Sequence, residues 1–273
     1  MTRTGIRCAA EQLIRAIRAE STRSGGRRSI LLFGAVPGAV ILPLIVTFGV
    51  AMVGERFATI SSSISVGEVP TTNSVYWVIT FTVITWAVIA TYAQAMGERG
   101  PVGEIARYLY PRAATAALAR WIVYGGWSAI CSAILVCVVM LVLPTMFPTV
   151  YGGVDLTSSA GIRFLLTVPI YGVLAVGVGV GLAAVIGHPA TAVAVLLGWA
   201  YIVENAISLI PNGYTVQTYM PFLNGVFGTG QELSLFPPWG PDGALIYLGA
   251  IALGMFALGS GVLAAVSYTH LRA

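Results

Sequence analysis

The sequence predicts an all-α integral membrane protein of six transmembrane helices, and three observations carry that prediction. Charged residues make up only 9% of the 273, and the mean hydropathy is +0.87, whereas a soluble domain carries about a quarter charged residues. Water cannot solvate a surface so poor in charge. Six stretches reach the roughly 20 apolar residues that a helix needs to cross a bilayer: 30–53, 75–96, 121–142, 164–186, 190–210 and 243–266. The third observation is where the charge lies. The chain has no lysine, and its 14 arginines are unevenly placed: seven in 3–28, four in 99–120 and one at Arg272, leaving only Arg56 and Arg163 for the other face. That bias is the positive-inside signature, and it predicts a multi-pass membrane protein with both termini in the cytoplasm; the plasma membrane is the expected location. The net charge of +4 is thus a topology signal. Its arginines flank spans instead of covering a folded face, so nucleic acid is not an expected partner.

Residues 1–28 precede the first span and follow a different pattern. Ile6, Ala10, Leu13, Ile14 and Ile17 share one helical face, and Arg7, Glu11, Arg15 and Arg18 share the other. Glu11 precedes Arg15 by four residues, a spacing that adds a small local stabilisation. An amphipathic helix with an arginine-rich polar face is expected to lie flat on the cytoplasmic surface of the bilayer. It lacks the short apolar core of a cleavable signal peptide. Ser24-Gly25-Gly26 then breaks the helix and turns the chain into the membrane. The transmembrane domain covers 29–266, and its first span contains Pro37 and Pro43. Each proline removes a backbone donor and favours a kink, which neighbouring helices can resatisfy. The two are hinge candidates, with routine packing as the alternative.

After the second span, 97–112 reads Gly97-Glu98-Arg99-Gly100-Pro101, then 102–110, then Pro111-Arg112. Pro101 suits a first helical turn and Pro111 ends the helix. One short cytoplasmic helix carrying Glu104 and Arg107 follows. The other cytoplasmic connection, Gly187-His188-Pro189, is a tight turn, and His188 has no partner near in sequence for catalysis or metal binding. The outer loops 54–74 and 143–163 are polar, and Asp155 after Gly152-Gly153 reads as turn chemistry. The last outer segment, 211–241, holds five prolines and several aromatics. It is expected to be partly re-entrant, since non-helical backbone at membrane depth survives only where protein or water satisfies it. Trp77, Trp121 and Trp239 fall at predicted interfaces, while Trp86, Trp127 and Trp199 are expected to pack inside the bundle. Gly177 and Gly181 form a small-xxx-small pair, expected at a tight internal crossing. Residues 267–273 read as an atypical tail, truncated or foreign, with no function assigned.

Little in this sequence offers chemistry. Glu204, followed by Asn205, is the one ionisable residue read as deep in a span, roughly 9 Å below the outer boundary at 1.5 Å per residue. An acid at such depth costs a few kcal/mol unless it is paired, protonated or hydrated. Glu204 and Asn205 are therefore substrate-path candidates, and the alternative is an acid satisfied locally near the outer interface. Cys8, Cys131 and Cys137 offer neither a disulfide framework nor zinc-ligand spacing, so no metal is expected. A Walker phosphate loop requires a lysine, and no HExxH or GxSxG motif is present. No catalytic residue and no cofactor of its own is expected. Uphill transport would draw on a partner or on an ion gradient.

The layout resembles the permease subunits of type-2 ATP-binding-cassette transporters over residues 1 to about 266. In the sequence the resemblance rests on Glu98-Arg99-Gly100, Glu104 and Pro111-Arg112 after the second span, and on 203–227 with Pro211, Pro221 and Asn224 after the fifth. Architecture carries more of it than any residue. The chain departs from the family at 113–120, which is less basic than usual, and in a tail that lacks the arginine-rich end. The resemblance implies an elbow helix in 1–28, a coupling helix in 97–112 and a re-entrant element in 211–241. It implies a second permease copy or a sister permease, and separate ATPase subunits that supply ATP and Mg. Glu98, Arg99, Glu104 and Arg107 would contact those ATPases, and Pro37 and Pro43 would flex. The expected activity is ATP-driven export of a lipid, drug, peptide or glycan along the permease interface. The alternative is a carrier driven by an ion gradient and, behind it, an intramembrane enzyme.

Overall fold

The computed structural model describes residues 3–25, 29, 31–59, 67–109 and 113–270, with the backbone alone for 3–8, 59, 101–102, 106–108, 113 and 266–270. The chain is helical throughout, with no strand among the described residues. A helix α1 (Arg3–Ser24) leads into α2 (Leu31–Ala58), followed by α3 (Thr71–Gly97), the short α4 (Gly100–Leu109), α5 (Ala113–Met146), α6 (Ser159–Ile186) and α7 (Pro189–Leu209). Two short helices, α8 (Gly213–Gln217) and α9 (Pro221–Gly228), precede the long α10 (Gly240–His270). Six of these, α2, α3, α5, α6, α7 and α10, are long and apolar enough to cross a membrane. The end of the bundle that carries α1 and α4 is called proximal below, and the other end distal.

The core is built on α6. The most apolar stretches of α3 and α6 are 61% buried, against 17% for α10 and 22% for α2 and α7. So α6 sits at the centre, packed by α3, α5 and α10. The run Val-Gly-Val-Gly-Val-Gly in α6 explains how three helices approach it so closely. A Cβ on Gly181 would lie 2.5 Å from the Met255 carbonyl carbon of α10, and one on Gly259 would lie 2.7 Å from the Gly181 oxygen. These two backbones therefore touch. Gly177, one turn away on the same face, leaves room for the Trp121 ring of α5, which stacks obliquely on Phe256 of α10 at 5.2 Å. Gly179 faces the other way, and a Cβ there would lie 2.9 Å from the Ala87 oxygen of α3. The small-xxx-small pair thus serves an internal crossing, as small residues do where van der Waals contact drives helix association.

The first span changes its winding where the prolines fall. Leu31–Ile41, which contains Pro37, is π-helical, and α-helical bonding begins at Leu42, next to Pro43. Pro43 has no N–H to offer the Ala39 carbonyl four residues back. Thr82 of α3 donates its hydroxyl to that carbonyl at 2.9 Å, and the Cys131 thiol of α5 approaches it at 3.9 Å. The neighbours thereby meet the backbone group that the proline leaves open.

Three features depart from expectation. Helix α5 starts at Ala113, not near residue 121, and its 34 residues make it roughly 50 Å long at 1.5 Å per residue. Arg120 consequently lies within a helix instead of in a loop. Trp127 and Trp199, expected to pack the bundle, are exposed on its flank, while Trp121, expected at an interface, packs half-buried against the core with its indole N–H donated to the Val173 carbonyl at 2.8 Å. Helix α10 runs through His270, into the segment read as an atypical tail. Gly26, Pro111, Arg112 and Arg272 lie outside the described residues.

Candidate functional site

The proximal end holds a buried ionic joint that the sequence did not announce. Arg120, 3% exposed, reaches in two directions. One terminal nitrogen donates to Gln94 Oε1 at 2.7 Å and to Glu98 Oε1 at 3.0 Å, at the end of α3. Its Nε lies 3.5 Å from Glu20 Oε2 of α1. Glu20 is in turn met by Arg23 at 2.6 Å and by the Tyr124 hydroxyl at 2.9 Å. Gln94 completes the ring by donating its amide to Glu98 at 3.1 Å. Gly97 makes the arrangement fit, because a Cβ there would collide with the Arg120 guanidinium. Two arginines and two glutamates balance in charge, as buried ions must be paired. The joint ties α1, the end of α3 and the start of α5 into one unit.

The sequence-predicted residues divide around this joint. Glu98 faces inward to Arg120 with little of its side chain exposed. Arg99 turns to the Gly187 carbonyl at 3.1 Å, where α6 ends in a left-handed residue. A cation at a helix C-terminus meets both unpaired carbonyls and the favourable end of the helix dipole. Glu104 is exposed on α4, flanked there by exposed Ile105 and Leu109. Arg107 belongs to the same helix. His188 caps the start of α7, its Nδ1 3.4 Å from the Thr191 amide.

At the distal end Glu204 is fully buried and locally satisfied. The amides of Phe222 and Leu223 donate to its two carboxylate oxygens at 3.0 and 2.8 Å. These are first-turn amides of α9, the groups a helix leaves unpaired, and a carboxylate is their natural partner. Pro221, at the first position of α9, has no amide to waste. Asn224 then locks the turn before α9 by donating to the Thr218 and Met220 carbonyls, both at 2.8 Å, and accepts the Trp239 indole N–H at 2.9 Å. Glu204 stands where α7 returns from a π-helical stretch, Gly198–Val203, to one α-turn. Asn205, beside it in sequence, turns away and spends its amide on the Tyr201 carbonyl at 3.1 Å. The two substrate-path candidates thus do different things: Glu204 anchors α9, and Asn205 lines a cavity. On the same end, Arg163 of α6 joins the Gly228 carbonyl and Asp242, both at 2.8 Å.

Among the described residues, no three of His, Cys, Asp or Glu come close enough together to hold a metal ion. No protein-family model, curated protein or solved structure matches the chain. Fold and side-chain geometry therefore carry the functional argument alone.

Arg120 and Glu20 were missed because they are 100 residues apart and because Ala113–Leu118 carries no helix-start signal. One signal was available. Glu20 is the single acid in the last part of α1, and an acid among arginines before a membrane span invites a search for a buried cation.

Proposed function

We propose that this chain is the membrane-spanning permease subunit of a type-2 ATP-binding-cassette exporter, with ATP hydrolysed by a separate subunit. The observation that carries the reading is the proximal joint. Through one buried guanidinium, the N-terminal helix, the corner leading into α4 and the third span are tied together. A short helix whose outer face is uncovered hangs from that unit. Such a unit suits a part that receives force from outside the membrane and passes it to the spans. In this reading α1 is the elbow helix, α4 the coupling helix, and α8–α9 the re-entrant element. Glu98 and Arg99 brace α4 from within, while Glu104 faces the ATPase together with Ile105 and Leu109, on the helix that also carries Arg107. ATP and Mg are bound by that ATPase.

The proximal end is then cytoplasmic, in keeping with its arginines, and the membrane is the plasma membrane. A second permease copy or a sister permease covers the apolar flanks of α2 and α7. The substrate, a lipid, drug, peptide or glycan, passes between the two permeases, and the change of winding at Pro37 and Pro43 supplies a place to flex. The gradient-driven alternative needs an acid free to exchange protons or ions. Both oxygens of Glu204 are engaged by backbone amides, which supports an anchoring role instead.

The test is affinity purification from native membranes in mild detergent, comparing wild type with a Glu104→Arg, Ile105→Asp double variant. Wild type is expected to retain a Walker-motif ATPase in stoichiometric amount. The double variant is expected to lose about tenfold or more of it while still inserting, since reversing a charge and burying an unpaired one at an interface costs a few kcal/mol. Equal recovery with both would exclude the α4 face as the docking surface. No ATPase with intact wild type would exclude the class.

A further inference from the structure

A second feature of the distal end lies inside a single chain, apart from any surface between two permeases. Helices α3, α6, α7 and α9 line a half-open cavity of about 140 Å³. Its polar lining comes from Tyr76 and Thr80 of α3, Tyr171 of α6, and Tyr201 and Asn205 of α7. Residues far apart in sequence thus bring three phenols and an amide to one space.

The hydrogen-bond inventory of this lining does not close. The Tyr201 hydroxyl donates to the Thr80 carbonyl at 3.0 Å. Tyr171 is only 4% exposed, yet its hydroxyl has no hydrogen-bond partner among the described residues. The Tyr76 hydroxyl also lacks one among the described residues, on a side chain 37% exposed. Asn205 has spent its NH₂ on the Tyr201 and Ala200 carbonyls at 3.1 and 3.4 Å, leaving its oxygen unused. The Tyr171 and Tyr76 hydroxyls and the Asn205 oxygen are thus open to a ligand that supplies matching donors and acceptors.

Charge and size narrow the ligand. No acidic or basic residue lines the cavity, and the nearest carboxylate in sequence, Glu204, is already engaged at both oxygens. An ion here would find no charged side chain in the lining to pair with. The volume falls below the roughly 300–1,000 Å³ of sites for drug-sized molecules, so it admits one ring. The apolar walls, with Ile84, Phe222 and Val226 among them, ask for a ring with C–H faces and a polar rim. A pyranose has that shape.

We propose that this cavity binds a single uncharged, hydroxyl-bearing ring, the pyranose of a free sugar or of a glycolipid headgroup. The site needs neither ATP nor a partner, so it stands or falls separately from the transporter reading.

The experiment uses the full chain alone, in phosphatidylcholine nanodiscs. Binding is read by saturation transfer from protein protons to methyl β-glucopyranoside, and by the shift in unfolding temperature when monoglucosyl diacylglycerol is added to the disc. Phosphocholine is the charged control. Saturable binding of the glucoside is expected, of the glycolipid, or of both. Binding of the free glucoside identifies a soluble source, and binding of the glycolipid alone identifies a headgroup. Tyr171→Phe removes a hydroxyl with no protein partner, so unliganded stability is expected to hold while affinity falls about three- to tenfold. Tyr76→Phe serves as a second probe if the first variant does not fold. The proposal is overturned if neither glucoside form binds, if phosphocholine binds equally well, or if a folded variant binds as tightly as wild type.

Discussion

Arg120 shows how one side chain can fix the relation of three helices. Its guanidinium meets Gln94, Glu98 and Glu20 within 3.5 Å, and removal of one partner from a buried ionic group leaves the others uncompensated. Arg120→Met is expected to destabilise the protein by about 3–5 kcal/mol. The informative measurement is a double-mutant cycle with Glu20→Gln, followed by chemical unfolding in detergent. The double variant should cost clearly less than the sum of the singles, because the second change removes a charge that the first has already stranded. Additivity to within about 0.5 kcal/mol would show that the two residues act independently. Sequence reading found Glu98 and Arg99 but assigned them outward. What it could not see is that a guanidinium about two helical turns into the next helix would claim Glu98. Glu204 is the converse case. Its depth in a span was legible, and so was the pair of readings it allowed, but the partners that satisfy it are backbone amides, which leave no mark in side-chain patterns.

At the scale of elements, apolarity alone placed all six spans to within a few residues, except at the start of α5. There Ala-Ala-Thr-Ala-Ala-Leu is mild enough in polarity to read as a loop, and helix propensity won. The glycine-rich stretch of α6 was legible as a close crossing, though not as three crossings on two faces. Gly181→Val is expected to push α6 and α10 apart, since its new carbons would fall on the Met255 carbonyl. Overpacking of this kind costs about 1–3 kcal/mol or more. Gly198→Val, where an added Cβ meets nothing, is the matched control. Thermal unfolding of both in the same detergent checks the difference, and equal midpoints would show that the backbone contact yields without cost. The short helices α8 and α9 were foreseen only as a partly re-entrant segment, because five prolines mark where a chain turns without saying what holds the turn in place.

For the whole molecule, burial is lopsided. The centre of the bundle is α6, and α2, α7 and α10 leave most of their apolar surface uncovered. Lipid covers such faces readily, but the proposed pathway requires that some be covered by another permease. Native mass spectrometry of the complex in mild detergent is therefore expected to find two permease chains, either two of this 28.6 kDa chain or one with a sister, alongside two ATPases. A complex with one permease chain would remove the pathway from between subunits. The class of the protein was legible in composition because a membrane imposes its demands on every residue of a span. The joint at Arg120 and the cavity beside Tyr171 were not, since each is assembled from helices whose pairing no local pattern encodes.

The contact between Gly181 and Gly259 also bears on how the chain is made. The central helix is synthesised well before the last one, and ribosomes add roughly 5–20 residues per second. For several seconds, then, α6 sits in the membrane with its glycine face open, its most intimate neighbour still unmade. The packing around α6 is not complete until α10 arrives, and α10 docks by backbone contact, which tolerates little error in register. Quality control acting on the nascent protein would find its clearest signal here, in a groove that only α10 can fill.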